Sequence, residues 1–415
     1  MPGIIKRPTI VEEAVEQFGG LFENKSQREH FANYLTGLMV GNNKTVAGMT
    51  GEFVHASDQS CLNRFLNEVD WDEEELNKKR IDFLIENGDL KIHRRGVIAL
   101  DNVLIDHYGK LIEDAGWFWD HSEDRYKIAH DYLFINYVNS DGSHYPLEFK
   151  RFKKKDQCEA EKVKFVDHTK LFIALVDDSH EKKLWGTFTF DSYFCGGEIL
   201  NHINALVDDR GEVRAYVCDL KSNRNITFKG VTQQAKALAL SIKPEQKKQV
   251  IHANGRKQWY FTVCVGVSEV DHNCRIVFLW DKKSDKEPKK ILLTNKTNWE
   301  VNRITGTYRF RWTGTETFHR DGKQELGMGD CQLRNGVGQT RHMYLVMLAY
   351  SLAMRILGSR GLCGWASRRL KTVGEVCRAA LDETIRGTIA WVVESVGLST
   401  GGDFHKLMKR LGIAR

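Results

Sequence analysis

The chain has 415 residues, a formal net charge of +6, 41% hydrophobic and 10% aromatic residues. That is enough apolar material for two or three sizeable cores, and it excludes a mainly disordered chain. Nine cysteines are scattered without a CxxC pair, which predicts free thiols and no structural zinc.

The start, MPGIIKRPTIVEEAVEQF, turns acidic within its first dozen residues and lacks an apolar core of signal-peptide length. The longest apolar run, Met343 to Met354, is well short of the ~20 residues that span a bilayer. A soluble, cytoplasmic protein is expected. Basic charge is uneven: Cys331 to Arg415 carries 13 Lys+Arg against 5 Asp+Glu. On charge alone this fits an anionic partner, nucleic acid first, and a merely solvated helical surface equally well.

In chain order, residues 1–95 are expected to be a helical, DNA-binding domain. Val11, Val15 and Phe18, and then Phe31, Tyr34, Leu35 and Leu38, follow helical spacing. Between Lys44 and Leu66 a short helix meets a turn at His55-Ala56-Ser57. A second helix follows, with Ser57 or Asp58 as its N-cap, giving the punctuation of a helix-turn-helix. Gln59, Asn63 and Arg64 are its candidate groove-facing residues. From Gly96 the pattern changes. VIALDNVLID, YLFINYV and YPLEFKRF read as three strands, followed by a helix over about 160–176. WGTFTFD (strand), GGEILNHINALVDD (helix) and VRAYVCDL (strand) come next. Three strands followed by alternating helix and strand is the order of a ribonuclease-H-like sheet. The reading is an α/β ribonuclease-H-like core over 96–227, a β-rich insertion over 228–298 and a return to the core over 299–357. Glycines at 358, 361 and 364 then mark a hinge before a basic helical region, 358–415, a candidate dimerisation region.

Three acids stand out by position. Asp101 follows an apolar strand, Asp191 ends another, and Glu316 opens a helix. Strand-end acids present charge into a cleft without entering the core. Two of them, with a third from a helix, can hold two Mg²⁺ or Mn²⁺ ions for in-line attack on a phosphodiester. Each acid alone also reads as a turn former or helix cap. Asp106 competes with Asp101. Five residues apart on one strand, they face opposite sides, so only one can enter a site.

The stretch Tyr308-Arg-Phe-Arg311-Trp312-Thr-Gly-Thr-Glu316, continuing to Lys323, resembles the Tyr-Arg-Glu-Lys signature of DDE transposases of the insertion-sequence-four-like family. Two residues separate Tyr308 from Arg311 and six separate Glu316 from Lys323, as in that family. Four separate Arg311 from Glu316, where the family has three. FTFDSYF resembles its second-acid segment, and IALDNV its first, with Asn102 where a second Asp is commoner.

The resemblance implies Asp101, Asp191 and Glu316 as catalytic metal ligands for two Mg²⁺ or Mn²⁺ ions. It implies Tyr308, Arg311, Trp312, Arg320 and Lys323 as DNA contacts. It further implies a prokaryotic, nucleoid-associated homodimer in a synaptic complex. Such a protein binds double-stranded DNA at terminal inverted repeats, cuts there, through a hairpin in many members, and joins the ends to target DNA. The rivals are a ribonuclease-H-like nuclease that does not join ends and a catalytically silent, transposase-derived DNA-binding protein. His130, on the second strand, reads more readily as a structural histidine than as a metal-site neighbour.

Overall fold

The structure, a computed structural model, describes residues 3–55, 58–109, 111–121, 123–359 and 363–397. The expected turn at Ala56-Ser57, Gly361 of the hinge and the end of the basic tail (398–415) lie outside the described residues. The chain divides into two compact units: residues 1–89, 104–130 and 318–415, and residues 90–103 and 131–317.

Along the chain come five helices: α1 (Thr9–Phe18), α2 (Lys25–Val40), α3 (Val46–Glu52), α4 (Gln59–Asn67) and α5 (Glu73–Glu86). Four strands follow, β1 (Val97–Asp106), β2 (Gly116–Asp120), β3 (Arg125–Val138) and β4 (His144–Phe152). Next are α6 (Lys155–Glu161), α7 (His168–Glu181), β5 (Thr187–Phe190), α8 (Gly197–Ala205) and β6 (Tyr216–Asp219). Then come β7 (Asn225–Phe228), β8 (Val231–Gln234), α9 (Ala235–Ser241), β9 (Lys248–Ile251), β10 (Lys257–Val267), β11 (Cys274–Trp280) and β12 (Lys290–Thr294). The last helices are α10 (Val301–Gly314), α11 (Glu316–Glu325), α12 (Gly336–Gly358) and α13 (Val373–Gly397).

The first unit is built round α12, whose residues from Met343 to Met354 are all buried. The helices around it meet it through polar anchors as well as apolar surface. Arg341 donates to the carbonyls of Leu66 (3.2 Å), at the end of α4, and of Val69 (2.8 Å) and Trp71 (2.7 Å), in the segment that follows it. Asp58 caps α4 by accepting from the Ser60 N–H, while Leu62, Phe65 and Leu66 turn inward. Gln59 and Arg64 are exposed and Asn63 half-buried. In the same unit β2 pairs with the first residues of β3.

The second unit holds a mixed sheet in the order β4-β3-β1-β5-β6-β12-β11-β10, with β9 and β7 pairing with β10. β1, β5 and β6 run parallel, as strands joined by helical crossovers do, whereas β6, β12, β11 and β10 are antiparallel neighbours. This mixed α/β architecture, with helical N- and C-terminal regions, is the one the alternation of strands and helices predicts. The strands expected between 228 and 298 extend the same sheet, since β12 pairs directly with β6.

The helix expected over 160–176 is two helices. Lys162 adopts a left-handed conformation (φ 57°) that ends α6, and Asp167 starts α7 by accepting from the Lys170 N–H. The segment after Trp299, where the chain was expected to return to the core, forms α10. Val301, Ile304 and Tyr308 line its buried stripe against Val217, Val277, Leu279 and Leu292 of the sheet.

Candidate active site

The positions of the acids follow from strand register. Ala99 of β1 lies opposite Thr189 of β5, and Thr189 lies opposite Val217 of β6. Two residues further along each strand come Asp101, Asp191 and Asp219. Because side chains alternate with period two, these three acids project from the same face of neighbouring strands. β1 spans all of VIALDNVLID to Asp106, so Asp101 is level with the end of β5 without ending its own strand. Asp219 was not singled out from sequence. Its context, an acid closing an apolar strand, is the same as that of Asp191.

Helix α10 crosses this face. Gly314 allows the close approach, because a Cβ there would stand 2.7 Å from Val138 Cγ2 and 3.1 Å from Ala99 Cβ. One turn earlier, Arg311 falls on the helix's buried stripe, where an arginine needs a counter-charge. Its Nη1 donates to Asp101 Oδ2 at 2.5 Å, and the Thr315 hydroxyl lies 3.4 Å from the same oxygen. Asp101 Oδ1 accepts from the Asn102 N–H at 3.1 Å. α10 ends at Gly314, and Glu316 opens α11.

Asp101 is only 8% exposed. Burial pushes its carboxyl up to about 7; Arg311 opposes that rise, and the nearby carboxylates Asp191 and Glu316 add to it. Burial alone would lower Arg311, yet Asp101, Tyr308, Asp191 and Glu316 together hold it above its ordinary value. Burial also raises Asp219; Lys290, 3.2 Å away, counters this and Asp191 reinforces it. Asp191 is half-buried, and its Oδ1 accepts from the Tyr193 N–H at 2.9 Å, which fixes the turn that follows β5.

The structure thus brings Asp101, Asp191 and Glu316 within electrostatic reach of one another. Among the described residues, no three His, Cys, Asp or Glu side chains converge closely enough to hold an ion as they stand. In kind, the donors suit a hard divalent cation: all are carboxylate oxygens, and the Asp101 carboxyl, raised first by burial and further by Asp191 and Glu316, lies where positive charge is favoured.

The other expected contacts have varied surroundings. Tyr308 is buried, its hydroxyl 3.4 Å from Lys290 Nζ, and burial raises its pKa. Trp312 is 55% exposed, with the Arg311 guanidinium 5.5 Å from its ring centre. Tyr308, Trp312, Arg309, Lys290 and His252 line one cavity of 350 Å³. Arg320 pairs with its neighbour Asp321, at 2.8 Å. Lys323 donates to the Leu104 carbonyl at 2.8 Å. Asp106 is exposed and pairs with Lys127 at 2.9 Å. His130 is fully buried, its Nδ1 2.9 Å from His107 Nε2 and its Nε2 2.7 Å from the Glu113 carbonyl, as a structural histidine would be.

Residues 17–185 match the model of the DDE superfamily endonuclease family. That segment contains Asp101 and ends before Asp191 and Glu316. No curated protein matches the sequence. The match supports a transposase- or nuclease-type function with DNA as substrate. None of the described helices is long and apolar enough to cross a membrane.

Proposed function

We propose that the chain is a DDE transposase of the insertion-sequence-four-like kind. It binds double-stranded DNA at the terminal inverted repeats of a mobile element, cuts the ends and joins them to target DNA as a homodimer. The observation that carries this reading is the register-aligned pair Asp101 and Asp191, with Arg311 and Glu316 delivered beside them by the α10–α11 junction. Asp101, Asp191 and Glu316 would hold two Mg²⁺ or Mn²⁺ ions. Bound there, such ions supply a more acidic water or 3′-hydroxyl and neutralise charge on the phosphate.

The chain's own residues do the rest. Arg311 holds Asp101 in place and carries a second fork edge for a phosphate. The exposed Trp312 ring offers a surface on which an unstacked base can lie, as a hairpin route requires. Tyr308, Arg320 and Lys323 are proposed to contact backbone phosphates, and α3 and α4 to read the terminal repeat.

The test is cleavage of a plasmid carrying the element ends. Cutting should require Mg²⁺ or Mn²⁺ and stop in EDTA. Asp101→Ala, Asp191→Ala and Glu316→Ala should each lose at least about a thousandfold in rate, as members of one metal-binding unit do. Asp106→Ala should remain active. Full activity in any of the first three removes that residue from the site. Cutting without joined product would favour the simple nuclease.

A further inference from the structure

A cavity of 490 Å³ opens at the other end of the parallel strands, lined by residues that precede β5 and β6 together with the segment leading into α10. Thr187, at its wall, is four residues before Asp191, so this cavity lies roughly 13 Å along the strand from the acids. It is distinct from the site described above, and no step proposed there uses it.

Its walls combine cations with two indoles. Arg94 is already committed, pairing with Asp208 at 2.7 Å and with Asp209. Asp208 is equally committed. Burial would raise it, but Arg94 and the N–H groups of Arg210 and Glu212 hold it down at about 2.

The remaining positive groups have no such partner. Arg214 is buried between the rings of Trp185 and Phe188, at 5.0 and 4.7 Å. It donates to His180 Nδ1 and the Leu184 carbonyl, and burial lowers its pKa to about 10. Arg303 is exposed and sits over the Trp299 ring, its Cζ 3.6 Å from the ring centre. Lys296 reaches only the Val213 carbonyl, at 2.5 Å. Burial lowers both Arg303 and Lys296, and the nearby cation Arg95 pushes Arg303 further down while Arg303 does the same to Lys296. Glu212 alone among the cavity's uncommitted groups opposes this for Arg303. A guanidinium stacked on an indole keeps its in-plane N–H fork free, and its outer face can take a second planar ring.

The geometry points to a nucleoside-phosphate site: a phosphate gripped by Arg303 and Lys296, with the base stacked on the Arg303–Trp299 pair. The ligand is either one nucleotide of a DNA strand passing over this edge or a free nucleotide. The inference goes beyond the cleavage reading, because it needs neither metal nor the acids.

The test uses the full chain in EDTA. Calorimetry with dTMP, deoxyribose 5-phosphate and inorganic phosphate is set beside anisotropy with a labelled octathymidylate. dTMP should bind at least about tenfold more tightly than either base-free phosphate. Arg303→Gln and Lys296→Gln should each weaken binding about tenfold, with the octathymidylate salt slope shallower by roughly one unit per lost contact. Lys243→Gln, an exposed cation outside the cavity, should change nothing. Octathymidylate binding that follows the Arg303 and Lys296 variants assigns the site to a strand. Variant-sensitive binding of dTMP alone assigns it to the free nucleotide. Phosphate binding as tightly as dTMP, unchanged affinity in both variants, or no binding of either nucleotide probe overturns the inference. Repeating the titration in Asp101→Asn separates the two readings, because a chain unable to cut should still bind.

Discussion

Two groups of carboxylates in this protein are each gathered round one cation, and they have opposite electrostatics. In the first unit Lys127 meets Asp106 and Asp120, both at 2.9 Å, and Glu123. Burial of the amine works against its charge, yet the three carboxylates raise its pKa. In the second unit Arg311 meets Asp101 directly, with Asp191 and Glu316 near. There it is a carboxyl that shifts, to about 7. Asp106 and Glu123 are half exposed or nearly so, and water answers much of their charge. Asp101 is sealed in, so burial itself raises its carboxyl and its neighbours' repulsion adds to the rise. Three carboxylates of which two are open to water are satisfied by one lysine, whereas a buried carboxyl among acidic neighbours still favours added positive charge.

The largest break in this comparison should come from removing each cation. Arg311→Ala leaves a buried carboxylate without its partner and should cost roughly 3–5 kcal/mol of unfolding free energy at pH 8. Lys127→Ala should cost about 1 kcal/mol, because its partners are mostly solvated. Urea unfolding of both variants measures the pair. Equal losses would mean that burial is not what separates the clusters.

The next effect is a pH dependence. Asp101 is raised when folded, so between about pH 4 and 7 the native chain holds a proton that the unfolded chain has lost. Its contribution therefore turns against folding as pH rises through that window and levels off above it, by up to about 4 kcal/mol. Asp101→Asn should remove this decline. The measurement is the difference in unfolding free energy between wild type and variant from pH 4.5 to 8, without divalent ions. A difference independent of pH would place the Asp101 carboxyl in an ordinary environment.

A smaller effect tests how the helix reaches the sheet. Gly314→Ala forces a methyl against Val138 and Ala99 and should destabilise by about 1–3 kcal/mol. If α10 lifts to make room, Arg311 loses its grip on Asp101 and plasmid-end cleavage falls as well. A stable variant with full cleavage would show that the close approach has no part in placing Arg311.

Much of this was legible in the chain. Strand alternation separated Asp101 from Asp106, and apolar strands ending in acid marked Asp191. The spacing of Val301, Ile304, Tyr308 and Arg311 already puts an arginine on a helix's inner stripe, a residue that must find a carboxylate there. Other features were not legible. Asp219 closes an apolar strand as Asp191 does, but its place beside Asp191 follows only from the β5–β6 register. The split of α6 from α7 depends on one left-handed lysine, a conformation no residue type but glycine announces. The cavity with Arg303 and Lys296 joins segments distant in sequence, and distance along a chain hides such charge patterns.

The starts of β1 and β5 carry a further consequence. Gly96 leaves room for the Tyr137 hydroxyl, which stands 2.8 Å from the His93 N–H and 2.9 Å from the Trp185 carbonyl. The Thr187 N–H donates to the Gly96 carbonyl at 2.9 Å, and a Cβ on Gly186 would come within 2.9 Å of that same oxygen. These contacts clamp the two strands at one end, and a ladder clamped at one rung is aligned at all of them. Slipping β5 by a single residue would turn Asp191 to the opposite face. The alignment of the acids is therefore inherited from the folded backbone, and a glycine five residues upstream of each of Asp101 and Asp191 guards it.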